Sequence, residues 1–289
     1  MNEVYDVIKY FPISIQNALK EVLTNNLNFE KELQEIRIRS EKPIFLKLND
    51  SSVGIDYIVS QSEILQILEK ICENSIYAYK NQICNGFITI KGGHRIGIVG
   101  TVVVENNKVI NIKYVTSLNF RIAKQVLDSS NKILKEIINK ENNTIYNTLI
   151  VSPPGKGKTT ILRDAIRKIS NGIKDMNFTG KTCGLVDERG EIAATYRGIP
   201  QNDVGMRTDI VDNINKAEGM KMLIRSMAPE IIACDEIGSK EDVQAIKYAL
   251  YSGVKGIFTM HGANLNDVKN NKEIYQLVEN KQIEKILFI

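Results

Sequence analysis

The sequence predicts an α/β protein in which a smaller α+β domain over residues 1–140 precedes an α/β domain with a mainly parallel sheet over 145–289. Three observations carry this. The first half holds strand-like runs joined by Gly and Asn pairs, as in antiparallel hairpins. The second half alternates short apolar runs with helical periodicity, as in a parallel sheet covered by helices on both faces. Between a strand and a helix, residues 152–160 form a loop rich in glycine and lysine.

Ile15, Leu19, Val22 and Leu23 recur at helical spacing and predict an amphipathic helix from Ser14 to Leu27. Strands follow at Leu33 to Arg39 and Pro43 to Leu48, then a helix from Ser62 to Cys72 capped by Ser62. Gly86 to Ile90, a Gly92-Gly93 turn, Arg95 to Val104, an Asn106-Asn107 turn and Val109 to Val115 read as hairpins. Leu118 to Gln125 leads into a helix at Ser130 to Asn139, and the polar stretch from Lys140 to Thr144 is the expected linker. Beyond it, Thr148 to Val151, Gly184 to Val186, Ile231 to Cys234 and Val254 to Thr259 read as strands. Thr159 to Ile169 and Glu241 to Tyr251 read as helices.

Composition narrows the class. Hydrophobic residues at 43% and charged residues at 25% are ordinary for a globular chain. A net charge of +4 is too small an excess to argue for a nucleic-acid partner, and no aromatic-basic interleaving marks a strand-binding face. No basic start followed by an apolar core opens the chain, and no run reaches the roughly 18 apolar residues of a membrane span. The expected location is the cytoplasm. Cys72, Cys84, Cys183 and Cys234 have no paired spacing and read as reduced thiols rather than zinc ligands.

The loop from Ser152 to Thr160 has the strand-before, helix-after context of a phosphate cradle for Mg-ATP. Backbone N–H groups around Pro154, Gly155, Lys156, Gly157 and Thr160 can turn onto an anion at a helix N-terminus. Lys158 reaches the terminal phosphates and the Thr159 hydroxyl ligates Mg2+. Ser152 stands where the usual pattern has glycine, and the backbone angle expected there costs serine something. The competing reading is a lysine-containing turn before a helix.

Hydrolysis also needs acids. The run Ile231 to Cys234 ends in Asp235 and Glu236, which places them at the ligand edge of an α/β sheet. Asp235 is expected to serve the metal shell and Glu236 the attacking water, against the plain reading of two acids that solvate a strand end. Glu191, in the cluster Asp187 to Glu191, is a rival base, and an exposed turn with charges of both signs competes evenly with that reading. His261, after the strand ending at Thr259, gains interest because three other strand ends converge with it.

These elements in this order resemble the ATPases of type II and type IV secretion and pilus systems, and more closely the secretion-type ATPase family of endospore-forming bacteria. The resemblance rests on Phe87 to Arg95, Ser117 to Ala123, Asp187 to Ile192, Gly198 to Asp209, Lys216 to Met220, Ile224 to Glu230 and Thr259 to Ala263. It implies a RecA-like P-loop ATPase domain behind the N-terminal α+β domain, and rings, commonly hexamers, with ATP and Mg2+ bound between the domains. It implies that Glu191 activates water, that Glu236 is the second acid and His261 the His box, and that Arg225 belongs to the motif before the second acid strand. Arg95, Arg121 and Arg207 become candidates for charge stabilisation across subunits, each against the plain reading of a surface or salt-bridging residue. An integral-membrane partner, peripheral association with the inner membrane on the mother-cell side and a channel between mother cell and forespore are implied in the same way. Two other readings stay open: a nucleic-acid-dependent RecA-like ATPase, and a scaffold that binds nucleotide with little turnover.

Overall fold

All five residues of 148–152 are buried, as are all five of 183–187 and all four of 231–234. A strand with no exposed alternate position needs cover on both faces. The computed structural model describes residues 3–25 and 29–289 and divides the chain into two units. The first takes residues up to Lys124 together with Tyr196–Gln201, and the second takes the rest.

The first unit contains α1 (Glu3–Ile8), α2 (Ile13–Thr24), α3 (Phe29–Glu32), β1 (Glu35–Arg39), β2 (Lys42–Lys47), β3 (Ser52–Val59), α4 (Gln61–Ile71) and α5 (Lys80–Cys84). It continues with β4 (Phe87–Thr89), β5 (Arg95–Glu105) and β6 (Lys108–Arg121). Its antiparallel sheet has the order β3-β2-β1-β6-β5-β4. Ile36 and Ile38, Ile44 and Leu46, Ile96 and Ile98, and Leu118 and Phe120 alternate onto one face. There they form a core with α1, α2 and α4, and the rings of Phe11 and Phe120 lie 4.5 Å apart. Arg37, Arg39, Arg95 and Arg121 occupy the other alternation. The helix expected to end at Leu27 is α2; that end falls outside the described residues. β3 had no sequence expectation, and β6, expected to end at Val115, continues through Leu118 to Arg121, the start of the stretch expected to lead into the next helix.

One cap is corrected. α4 begins at Gln61 and is capped by Ser60 rather than Ser62. Ser60 Oγ accepts from the Glu63 N–H at 3.3 Å, and Glu63 Oε2 accepts from the Ser60 N–H at 2.9 Å. That reciprocal pairing satisfies two groups the helix start would leave open, and only a residue three before an acid can make it.

The second unit contains α6 (Asn131–Ile137), the short pair β7 (Ile138–Asn139) and β8 (Thr144–Ile145), β9 (Thr148–Ser152), α7 (Lys158–Asn171) and β10 (Cys183–Asp187). It continues with β11 (Thr208–Asp212), α8 (Lys216–Met227), β12 (Ile231–Cys234), α9 (Lys240–Tyr251), β13 (Lys255–His261), α10 (Leu265–Asn270), α11 (Lys272–Glu279) and β14 (Lys285–Phe288). Its six strands run parallel in the order β11-β10-β12-β13-β9-β14. Ile150, Leu185, Ala233 and Ile257 face a core with α6 and α7. Leu149, Val151, Val186, Ile232 and Phe258 face another with α8, α9 and α11. The division between units falls at Lys124/Gln125 rather than near Lys140. Ile133, Leu134 and Ile137 of α6 pack into the second unit's core, and the Ser130 N–H and hydroxyl bond to Asp164 of α7 at 2.9 and 2.6 Å.

The segment Tyr196–Gln201 belongs to the first unit. The Gly92 N–H donates to Gln201 Oε1 at 2.8 Å, while Tyr196 and Arg197 both engage Glu73. Nearby, His94 is buried and its Nδ1 accepts from the Ala123 N–H at 3.1 Å, so the ring sits neutral. Burial pushes its pKa down to about 4.

Two predictions follow from this packing. Ser60→Ala costs about 1 kcal/mol of stability in urea unfolding, whereas Ser62→Ala stays within about 0.5 kcal/mol of wild type. Between pH 6.5 and 4 the unfolded chain takes up a proton at residue 94 that the folded chain refuses. Stability from His94 is therefore full above pH 6.5 and falls on acidification, by roughly 2 kcal/mol at pH 5. His94→Gln removes that component, which unfolding curves for both proteins at pH 7 and pH 5 would reveal.

Candidate active site

Parallel strands packed side by side end on a common edge, and polar residues just past those ends are gathered there. β9 ends in Ser152, β10 in Asp187, β12 is followed by Asp235 and Glu236, and β13 ends in His261. Ser152 is fully buried and pairs in register with His261. It takes ordinary strand geometry, so the strain expected of serine does not arise. The left-handed backbone falls instead on Gly155 (φ 77°) and Gly157 (φ 85°). An added Cβ would meet nothing within 4 Å at either position, so it is the backbone angle that calls for glycine there. Gly157 is the residue from which α7 starts, which aims the helix N-terminus at the loop.

Lys158 is only 5% exposed. Its ammonium donates to Ser152 O at 3.2 Å, to Pro153 O at 3.4 Å and to His261 Nδ1 at 2.9 Å. Because the ammonium can only donate, Nδ1 accepts and the proton sits on Nε2. Nε2 lies 2.8 Å from Glu236 Oε1, and the other oxygen of Glu236 accepts from Arg189 at 2.8 Å. A chain of four side chains thus runs from the glycine-lysine loop to the residues just past β10. Glu236 adopts φ 53°, uncommon for a residue with a side chain, and its N–H is held by Thr259 Oγ1 at 2.8 Å.

The Thr159 hydroxyl donates to Asp235 Oδ2 at 2.5 Å, and Thr259 donates to the other oxygen. The hydroxyl and carboxylate oxygens of residues 159 and 235 stand side by side. Such hard oxygen donors suit Mg2+, which is usually bound through one or two protein groups plus waters and phosphates.

Asp187 is 2% exposed and accepts the N–H groups of Glu191, Ile192 and Ala193 at 2.9, 3.1 and 2.8 Å. Burial raises its pKa against the pull of those bonds. Glu188 pairs with Lys216 at 2.5 Å. A small recess is lined by Glu188, Arg189, Glu191, Lys216, Asp235 and Glu236, among others, so both rival glutamates border one space.

Other expected residues lie apart. Lys216 at the start of α8 borders the recess, but Arg225 is exposed nine residues further on, about 13 Å along the helix axis. Arg207 donates to Ser170 O at 2.8 Å, near the end of α7 away from the phosphate loop. Arg121 and Arg95 are cross-strand partners in the first unit, where Arg95 stacks 3.5 Å over Phe87. Pro154, Gly155 and Lys156 are exposed on the loop, with Thr160 half-buried behind them. The sequence reading missed Arg163, Arg189 and the capping role of Asp187. The one signal for Arg163 is an arginine inside the apolar spacing of α7.

Two solved structures share the fold over most of this chain. The ATPase DotB of Legionella pneumophila is 14% identical with a TM-score of 0.56, covering 89% of this chain and 72% of DotB. The pilus retraction motor PilT with bound ADP is 12% identical with a TM-score of 0.60, covering 91% of this chain and 73% of PilT. The fold, an antiparallel-sheet region followed in sequence by a parallel-sheet domain, is therefore one shared with DotB and PilT. In sequence, stage III sporulation protein AA of Bacillus subtilis (strain 168) is 39% identical over 287 residues, 99% of this chain and 90% of that protein. An uncharacterized ycf45 protein of Cyanidium caldarium is 30% identical over 166 residues, covering 57% of this chain and 46% of its own. The family described as sporulation stage III, protein AA matches residues 8–289, and to that family this chain belongs.

Proposed function

We propose that the protein is an ATPase motor of a secretion-type channel complex in sporulation, hydrolysing Mg-ATP at the strand-end site of its second unit. The observation that carries this reading is the junction at Asp235, where the residue after the phosphate-loop lysine meets the acid after β12 at 2.5 Å. A bare lysine turn has no reason to hold a metal-type carboxylate against its next hydroxyl.

Backbone N–H groups of the loop and the start of α7 receive the phosphates, and Lys158 exchanges His261 Nδ1 for phosphate oxygens. Thr159 and Asp235 hold Mg2+, which neutralises phosphate charge when bound. Both oxygens of Glu236 are already engaged, by His261 at 2.8 Å and by Arg189 at 2.8 Å, so an attacking water would have to displace one of these partners to reach it. Glu191 is exposed beside the same recess, and the reading gives it the proton of the attacking water. Glu236 then fixes His261, so that loss of the Lys158 contact on phosphate binding is felt at Arg189.

The family supports the wider setting: a ring, commonly of six copies, docked on an integral-membrane partner on the mother-cell side of the channel to the forespore. Arg121, with Arg95 beside it, is offered as the cationic group supplied by a neighbouring copy. Among the described residues no helix is long and apolar enough to cross a membrane.

Phosphate release with Mg-ATP over a series of protein concentrations tests the reading. Specific activity is expected to climb with concentration, and Lys158→Ala to reduce it to background. Wild-type turnover in that variant would remove the phosphate-loop assignment, and stimulation by single-stranded DNA would move the reading to a nucleic-acid-dependent ATPase. Glu191→Gln is expected to keep nucleotide affinity and lose about 10²-fold or more in kcat, with a smaller loss in Glu236→Gln. The reverse order would exchange their roles.

A further inference from the structure

Arg163 lies on α7, five residues after Lys158, and is 8% exposed. Among the described residues no carboxylate contacts its guanidinium directly. Nε donates to Ile192 O at 2.6 Å and Nη2 to Glu191 O at 2.7 Å, two successive carbonyls of the loop after β10. Burial pulls its pKa down, against the more distant attraction of Asp187, Asp235 and Glu191. For stability alone, an apolar side chain would serve this face of α7 without desolvating a charge.

What the guanidinium does have is a fork that fits two adjacent carbonyls at fixed geometry, which no other side chain supplies. The N–H edge of the same stretch is held by Asp187, and Asn202 adds bonds on the carbonyl edge. Asp187 takes the N–H groups of 191–193, Asn202 Nδ2 donates to Ile192 O at 2.8 Å, and the Asn202 N–H donates to Ala193 O at 3.0 Å. The backbone of 191–193 is therefore clamped from both edges, and α7, which begins at the glycine-lysine loop, supplies one side of the clamp. Glu191 is exposed, yet its N–H and its carbonyl are both hydrogen-bonded, to Asp187 and to Arg163.

We propose that Arg163 is a positioning residue that ties the Glu191 loop to the phosphate-loop helix, so that the water-activating carboxylate keeps its place relative to the bound phosphates. This rests on the assignment of Glu191 made above. The chain itself supplies the coupling: α7 carries Lys158 and Thr159 at its start and Arg163 just over one turn later, so a shift of the helix on phosphate binding is passed to the loop through two hydrogen bonds. Misplacing a reacting group by about 1 Å can cost 10²-fold in rate, which sets the scale of the effect.

Two readouts on the full chain test this, phosphate-release kinetics and amide hydrogen exchange. In Arg163→Gln, kcat is expected to fall by about 10- to 100-fold while KM for ATP and the affinity for ADP stay within about threefold. Amides of 191–193 are expected to exchange faster with those of β10 unchanged. Arg163→Lys, which restores one of the two bonds, is expected to recover part of kcat, and it is the variant to read if Arg163→Gln does not fold. Wild-type kcat in Arg163→Gln, a loss of nucleotide affinity in step with kcat, or unchanged exchange at 191–193 would each overturn the proposal. Wild-type protein without Lys158-dependent phosphate release would instead remove the ATPase reading and Glu191's role with it, while exchange at 191–193 still reports whether the clamp exists.

Discussion

Asp235 takes a hydrogen bond from a threonine on either side, Thr159 at the start of α7 and Thr259 on β13. That shared carboxylate fixes the register of three elements that are far apart in sequence, and the rest of the site is arranged around it. Thr259 turns its hydroxyl to Asp235 and also receives the Glu236 N–H, which holds Glu236 in its left-handed conformation. From there Glu236 reaches His261, and His261 reaches Lys158. A half-buried carboxylate with two neutral donors is costly to leave without a cation, and the two hydroxyls meet only part of that demand. On the proposed function, a cation bound there would meet the rest of that demand at the place where phosphate charge would also arrive.

The backbone strain at Glu236 belongs to the same balance. A non-glycine residue in this region costs on the order of 1–3 kcal/mol and persists where its surroundings over-determine it. Here one bond to the N–H and two to the carboxylate do so, from Thr259, His261 and Arg189. Relaxing any of them frees a residue that is already displaced from its resting conformation. The site therefore holds a stored bias on the residue that links the phosphate loop to the acidic loop after β10.

What could be read from sequence was local. Lys158, Thr159, Asp235 and His261 each follow a short apolar run, and a buried parallel strand announces its own end. Alternating isoleucines likewise marked β1 and the start of β5. Interactions decided by distant partners were not legible. Ser60 and Ser62 look alike until Glu63 shows which of them it can pair with. β11 has no fully buried position, so Thr208–Asp212 lacks the apolar run that identified its neighbours. α6 read as part of the N-terminal domain because Lys140 to Thr144 is polar, but the apolar face of Ile133, Leu134 and Ile137 decides where it packs. Arg163 could not be singled out because carbonyl groups leave no mark in a sequence.

The chain leaves the second unit at Thr195, contributes Tyr196–Gln201 to the first, and returns at Asn202. The excursion begins right after the peptides that Asp187 caps and ends on the residue whose side chain holds Ile192 O. The two units are thus interleaved rather than strung in series. A deletion that stops at Lys124 would strip the surroundings from a loop encoded much later. It would leave Tyr196, Arg197 and Gln201, which follow the acidic loop in sequence, without Glu73 and Gly92. Modular shuffling of the two halves among relatives is correspondingly constrained: any exchange of the N-terminal half must carry six residues of the other with it.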